Sequence, residues 1–184
     1  MTESAGRSRL PFRPAVLGPV VIGTATVIFG GFGVFATVAG HGLHAAAATA
    51  NTALVDRPAT ASVEHAITSA VDTIFSYSYA DVAKTRKAAQ ALLTGAAIRQ
   101  YNQLFALVEQ QAPKEKLVVA TKVTVTGVEL LTGDRARILV FANQQDTKAG
   151  TSQASYSGAM FAVTAINRNG HWLISNINTF TNPG

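Results

Sequence analysis

The chain has 184 residues, 48% of them hydrophobic, with 15 Lys+Arg against 10 Asp+Glu and no cysteine. The missing cysteine excludes disulfides, Cys-ligated zinc and thiol chemistry. Arg7, Arg9, Arg13 and Glu3 account for three of the bases and one of the acids, leaving 12 and 9; a surplus of three cations with no stacking aromatics among them excludes a nucleic-acid patch.

The first element is a run from Ala15 to Gly40 with no charged side chain. As a helix rising ~1.5 Å per residue it spans about 39 Å, more than the ~30 Å of a hydrocarbon core. The apolar core of a cleaved leader is only about 7–15 residues long. The length therefore favours a retained transmembrane helix over a leader cut at "HAAAATA", residues 44–50. Pro19 falls in the first turn or so, where its missing N–H costs little. Three arginines precede the run and none of residues 41–55 is Lys or Arg, so residues 1–14 are expected in the cytoplasm and the bulk of the chain outside. Gly23, Thr26, Gly30, Gly33, Thr37 and Gly40 fall along one side of the helical wheel, a small-residue stripe against which a second transmembrane helix can pack closely.

Residues 41–59 read as an alanine-rich linker ending in "DRPA", and residues 60–184 as one exported domain. Thr60 or Ser62 is expected to cap a first helix whose stripe is Val63, Ile67, Ala70, Val71 and Ile74. After "SYSY", Asp81 caps a second helix through Leu93, stopped by Gly95. Ile98, Tyr101, Phe105 and Val108 make the stripe of a third helix that Pro113 closes. The period then changes from 3.6 to 2. A strand over 117–131 turns at "TGD", residues 132–134, into a second strand over 135–142. A polar loop over 143–155 leads to a third strand over 156–167. Asn169-Gly170 is a strong hairpin signal before a fourth strand over 172–180, where Trp172 is expected to be buried. Helices followed by an antiparallel meander predict an α+β fold: three helices packed on one face of a curved, cone-like sheet of about four strands.

Chemistry is sparse in this pattern. His65 and Asp72 lie seven apart, on the helix side opposite the apolar stripe, so both are expected to point to water, without the burial that shifts a pKa. His41 and His44 have metal-compatible spacing but no third ligand nearby. Glu129, Asp134 and Asp146 are placed in or next to turns and loops. The predicted strand interiors, 117–126, 135–142 and 156–167, hold no Asp, Glu or His. Neither a phosphate loop with its lysine nor a nucleophile elbow is present. The residues thus name no catalytic, cofactor-binding or metal site.

Several short stretches recur together in a known order: "FSYSYAD" at 75–81, "ALLTG" at 91–95 with Tyr101 after it, Gly127-Val128, "RARILVFANQ" at 135–144 and "GHWLISNI" at 170–177. From about residue 60 to 180 the chain resembles the Mce-associated membrane proteins of mycobacteria and related actinobacteria. It departs at Ala96 and Ala97, where that family usually has an aromatic soon after the glycine. The resemblance implies a single-pass protein of the cell membrane carrying a SnoaL-like, nuclear transport factor 2-like cone outside. It further implies an accessory, non-enzymatic role beside the subunits of an Mce-type lipid importer, without a cofactor. The alternative is a cone whose pocket binds, or isomerises, a lipid or other hydrophobic small molecule.

Overall fold

The computed structural model describes residues 51–151 and 154–180. The expected anchor, its stripe of Gly23, Thr26, Gly30, Gly33, Thr37 and Gly40, and the pair His41 and His44 lie outside the described residues. Among the described residues no helix is long and apolar enough to cross a membrane.

Three helices, α1 (Arg57–Ile74), α2 (Val82–Leu92) and α3 (Ala96–Glu115), are followed by four long strands: β2 (Leu117–Thr132), β3 (Arg135–Lys148), β4 (Ala154–Arg168) and β5 (His171–Thr179). A two-residue strand, β1 (Tyr77–Ser78), lies between α1 and α2 and pairs with Val118 and Val119. The sheet is antiparallel with order β1-β2-β3-β4-β5. It is thus five-stranded, one strand more than expected, because "SYSY" closes one edge. Register shifts between Val123 and Val125, between Val128 and Leu130, and opposite Thr164/Ala165 bend the long strands around the helices.

The helices bury the stripes their periodicity demands. Val63, Ile67, Ala70, Val71 and Ile74 are buried on α1, and Ala97, Tyr101, Phe105, Val108 and Ala112 on α3. Ile98, expected on that stripe, is exposed at 42%, since Ala97 takes the inward position one residue earlier. Opposite them, one set of alternate side chains from each strand forms the concave face, including Ile138, Val140, Phe161, Val163, Ile174 and Ile177, all buried. Trp172 packs against this core but stays partly exposed.

Four further expectations on local structure are corrected. Asp56, not Thr60 or Ser62, caps α1 by accepting from the Ala59 N–H at 3.0 Å. Thr60 instead donates to the Ala53 carbonyl. Pro113 does not close α3, which runs to Glu115 before Lys116 adopts a left-handed φ of 52°; in a last turn a proline forfeits only one backbone bond. The polar stretch from residue 143 is not a loop, since β3 continues to Lys148 in unbroken register with β4. Asp72 does not point to water: its carboxylate accepts from the Val123 N–H at 2.7 Å and from Lys122 Nζ at 2.6 Å. His65 is exposed. Asn169 and Gly170 have φ of 54° and 84°, the doubly left-handed pair that a tight hairpin requires.

The folded unit also starts earlier than residue 60. Asn51 accepts from the Leu131 N–H and donates to the Glu129 carbonyl, and the Thr52 N–H bonds the Leu131 carbonyl. A fragment of residues 51–184 should therefore outlast one of 60–184 in urea, by about 2–4 kcal/mol for the lost bonds and cap. Equal midpoints and slopes would show that residues 51–59 contribute nothing. In the longer fragment Asp72→Ala should cost about 1–3 kcal/mol, because it strips a partner from a strand N–H. His65→Ala should stay within about 0.5 kcal/mol.

Candidate functional site

The concave face changes character along the strands. At the end where β2 begins and β3 ends, two cross-strand rows turn polar: Tyr77, Val119, Asp146 and Ser155 in one, Thr121, Gln144 and Ser157 in the next. Gln144 is buried and donates to Thr121 Oγ1 at 3.2 Å, while Thr121 Oγ1 donates to the Phe75 carbonyl at 2.7 Å. Gln144 Oε1, Asp146 Oδ1 and Ser157 Oγ are buried atoms with no hydrogen-bond partner. Burial raises the Asp146 carboxyl above its ordinary value. Burial first, and the charge of Asp146 second, push the Tyr77 phenol up as well.

Asp146 therefore corrects the expectation that it sits in or beside a loop. Its strand is longer than the apolar alternation shows, because "NQQDTK" keeps strand pairing on both sides without apolar side chains. Glu129 instead pairs with Arg137 on the surface at 2.7 Å, and the Asp134 carbonyl accepts from the Asn167 N–H beside the β2–β3 turn. His65 and Asp72 are not brought into a common site. No group of three or more His, Asp or Glu among the described residues is placed to hold a metal.

Space decides what Asp146 can do. Ile74, Phe75, Tyr77, Tyr101, Leu104, Phe105 and Val108 line a cavity of about 10 Å³, room for at most about one water. Pockets that take small molecules measure about 300–1,000 Å³. Aromatic rings occupy the volume: Tyr101 stacks on Phe105 at 5.0 Å, and Phe75 meets Tyr101 and Phe161 edge-on at 6.4 and 5.8 Å. Asp146 is not among the residues that line this cavity.

The convex face carries the opposite feature. Val125, Phe141 and Met160 are direct cross-strand neighbours on β2, β3 and β4, exposed at 58%, 37% and 49%. Tyr156 flanks them on β4 at 75%. Contiguous exposed apolar side chains of this kind mark interaction surfaces. The sequence did hold the signal, an apolar residue at nearly every position of "LVFA" and "GAMFAV", which alternation alone reads as one buried face.

No family model matches the chain, and no curated protein matches it. Among solved structures, the chain is similar to CagV, a VirB8 homolog of the type IV secretion system from Helicobacter pylori, at 12% identity and a TM-score of 0.54, over 65% of this chain and 98% of that one. It is similar to a periplasmic fragment of TraM at 12% identity and a TM-score of 0.53, over 65% and 96%. Both share its fold. The described residues thus share the α+β fold of these two proteins, helices packed on a curved antiparallel sheet, which agrees with the expected fold class apart from the strand count.

The raised Asp146 pKa fixes the sign of a pH effect. The folded chain holds this proton more tightly than the unfolded chain, so stability falls as pH rises from the ordinary value of 3.8 through the folded value. Asp146→Asn should therefore be more stable than the parent at neutral pH in urea titrations, and the gap should close as pH falls below about 4. A gap that widens on acidification would mean that the carboxylate is stabilised in the fold rather than strained by it.

Proposed function

We propose that the chain is a membrane-tethered, non-enzymatic accessory subunit that works by contact inside a cell-envelope complex, and that this complex is an Mce-type lipid importer. In this reading the segment 15–40 anchors the protein with its N-terminus in the cytoplasm, and the cone stands on the extracytoplasmic side. The observation that carries it is the pairing of a filled cone with an exposed convex row. A cavity among the helix rings that holds about one water and an outer sheet that presents Val125, Phe141 and Met160 support meeting a surface over enclosing a substrate.

Three further points support it. The motifs from "FSYSYAD" to "GHWLISNI" resemble the Mce-associated family. Two proteins of the same fold are a VirB8 homolog of a secretion system and a periplasmic fragment; at 12% identity they support the kind of place the domain occupies and not the cargo. The small residues Gly23, Thr26, Gly30, Gly33, Thr37 and Gly40 offer the anchor a close-packing side.

One observation favours the second reading, a cone that binds a lipid or other hydrophobic molecule. Gln144 Oε1, Asp146 Oδ1 and Ser157 Oγ lack partners on the concave face, and a ligand with donors would satisfy them.

The test is recovery of the tagged full-length protein from its own membranes. Importer subunits should accompany the parent chain. Val125→Ser with Phe141→Ser, two exposed positions that leave the core intact, should cut that recovery and lipid uptake by about tenfold, a loss of about 1.4 kcal/mol at the contact. Asp146→Asn should leave both unchanged. Purification of the chain without partner proteins but with a bound lipid would replace the contact reading by the second one.

A further inference from the structure

Side chains cover parts of the outer backbone edges of β2 and β5. Along the outer side of β2, Ser76 Oγ accepts from the Thr121 N–H at 2.9 Å, Asp72 from the Val123 N–H at 2.7 Å, and Asn51 from the Leu131 N–H at 3.0 Å. Along β5, the Gln100 amide accepts from the Ile177 N–H at 3.1 Å and donates to the Ile177 carbonyl at 3.2 Å, in the manner of a strand. The Thr94 N–H takes the Ile174 carbonyl at 2.8 Å.

Among the described residues the first half of β4 has no such cover. β5 pairs with β4 only from Phe161 to Arg168, whereas β4 begins at Ala154. Among the described residues the segment 154–160, Ala-Ser-Tyr-Ser-Gly-Ala-Met, is therefore bonded on its β3 side alone. Among the described residues no backbone hydrogen bond reaches its other side. It also lacks the lysine, proline or inward charge with which edge strands are normally protected from pairing.

Strand phase shows which groups are free. The Asn167 N–H bonds the Asp134 carbonyl, and the β3–β4 register runs without a shift. Asn167 and every second residue before it thus turn their backbone groups to β3. The N–H and C=O of Tyr156 and Gly158 face the open side, and the Tyr156 ring stands exposed on the convex face.

We propose that this edge pairs with the same edge of a second copy of the chain, antiparallel about a two-fold axis at Ser157, so that the two sheets become one. The residues fit that operator. Tyr156 falls opposite the second copy's Gly158, and Met160 opposite its Ala154, so each bulky side chain lies over a small one, and an aromatic ring covers the edge glycine. Tyr156 and Gly158 both turn N–H and C=O outward, which makes them hydrogen-bonded pairs. Ser157 meets the second copy's Ser157 across the axis, in the non-hydrogen-bonded position where side chains come closest. Its Oγ, buried and unpartnered in the single chain, gains a hydroxyl that can both donate and accept. The stretch carries no charge to repel its copy. Moving the axis to Gly158 confines pairing to residues 156–160, because β5 already occupies Phe161. Moving it to Tyr156 sets two tyrosines on each other. The axis at Ser157 uses the whole free stretch and gives an isologous, closed dimer. This inference stands apart from the envelope role and holds whichever complex the cone serves.

Because the full-length chain has no cysteine, Ser157→Cys introduces a single thiol and can be tested in intact membranes. With mild oxidant it should form a disulfide-linked dimer, with a yield at least about tenfold above that of Asn143→Cys, exposed on the convex face of β3 one strand in from the edge. Gly158→Pro, added to Ser157→Cys, should return the yield to the Asn143→Cys level. The monomer tolerates that proline, since the Gly158 N–H faces the open side and an added Cβ meets only Asn143 Oδ1 at 3.9 Å. Should Ser157→Cys disturb the interior, co-expressed Ala154→Cys and Met160→Cys chains, both substituted at exposed positions, should cross-link to each other. Stronger linking through Asn143→Cys would show that convex faces pair instead. A cross-link from Ser157→Cys to a different protein would show that a foreign strand occupies the edge. Either result overturns the proposal, as does a yield indifferent to Gly158→Pro or no cross-link from either set of variants.

Discussion

The Tyr101 hydroxyl donates to the Ile74 carbonyl at 2.9 Å in the buried interior. Ile74 ends α1, so its carbonyl is one of the terminal acceptors a helix leaves without a partner. Tyr101 supplies the missing donor from α3 and fixes the two helices to each other. Its ring stacks on Phe105 and meets Phe75, which in turn meets Phe161 on the sheet, so one aromatic chain runs from helix to strand. Burial foremost, then the charge of Glu109 against that of Arg86, raises the phenol above its ordinary pKa, which keeps it a neutral donor at any physiological pH. Substitution by Phe would leave the packing and orphan a buried carbonyl, at a cost of about 1–3 kcal/mol.

That tie fills the cone and transfers its contacts outward. The concave side is packed with rings here, while Val125, Phe141 and Met160 stand exposed on the convex face. The helices settle the edges too. Asp72 and Ser76 reach β2 from α1 and the residues just after it, and Gln100 reaches β5 from α3. The same two helices that cover the core therefore bond the backbone at points along β2 and β5. The upper half of β4 is left over because β5 is only nine residues long against fifteen for β4.

Much of this fold is legible in the sequence, and what is not has a common cause. The stripes on α1 and α3, the change of period at Leu117 and the Asn169-Gly170 turn all follow from local spacing, and each is where the spacing puts it save Ile98, which is exposed on α3. Asp72 was misplaced because its partners are 50 and 51 residues away; a helical wheel shows which side is polar and not what strand lies beside it. Asp146 was misplaced for the complementary reason. A strand that pairs on both sides needs no apolar side chains at a sheet's open end, so alternation faded at residue 143 while hydrogen bonding continued to Lys148. Tyr77-Ser78 is a strand only because Val118 and Val119 lie opposite. The convex row reads in sequence as ordinary strand hydrophobicity, and its exposure becomes visible only once the helices are seen to cover the other face.

The central proposal is that the protein acts through its surfaces and holds no ligand among the rings of the aromatic tie. Native mass spectrometry of the full-length protein, released gently from its own membranes, tests this most directly. The account predicts protein–protein assemblies whose protomers carry no retained small molecule. A protomer holding a lipid-sized mass of fixed stoichiometry, lost when Tyr101 or Leu104 is enlarged to Trp, would show that the cone opens to a ligand and would contradict it.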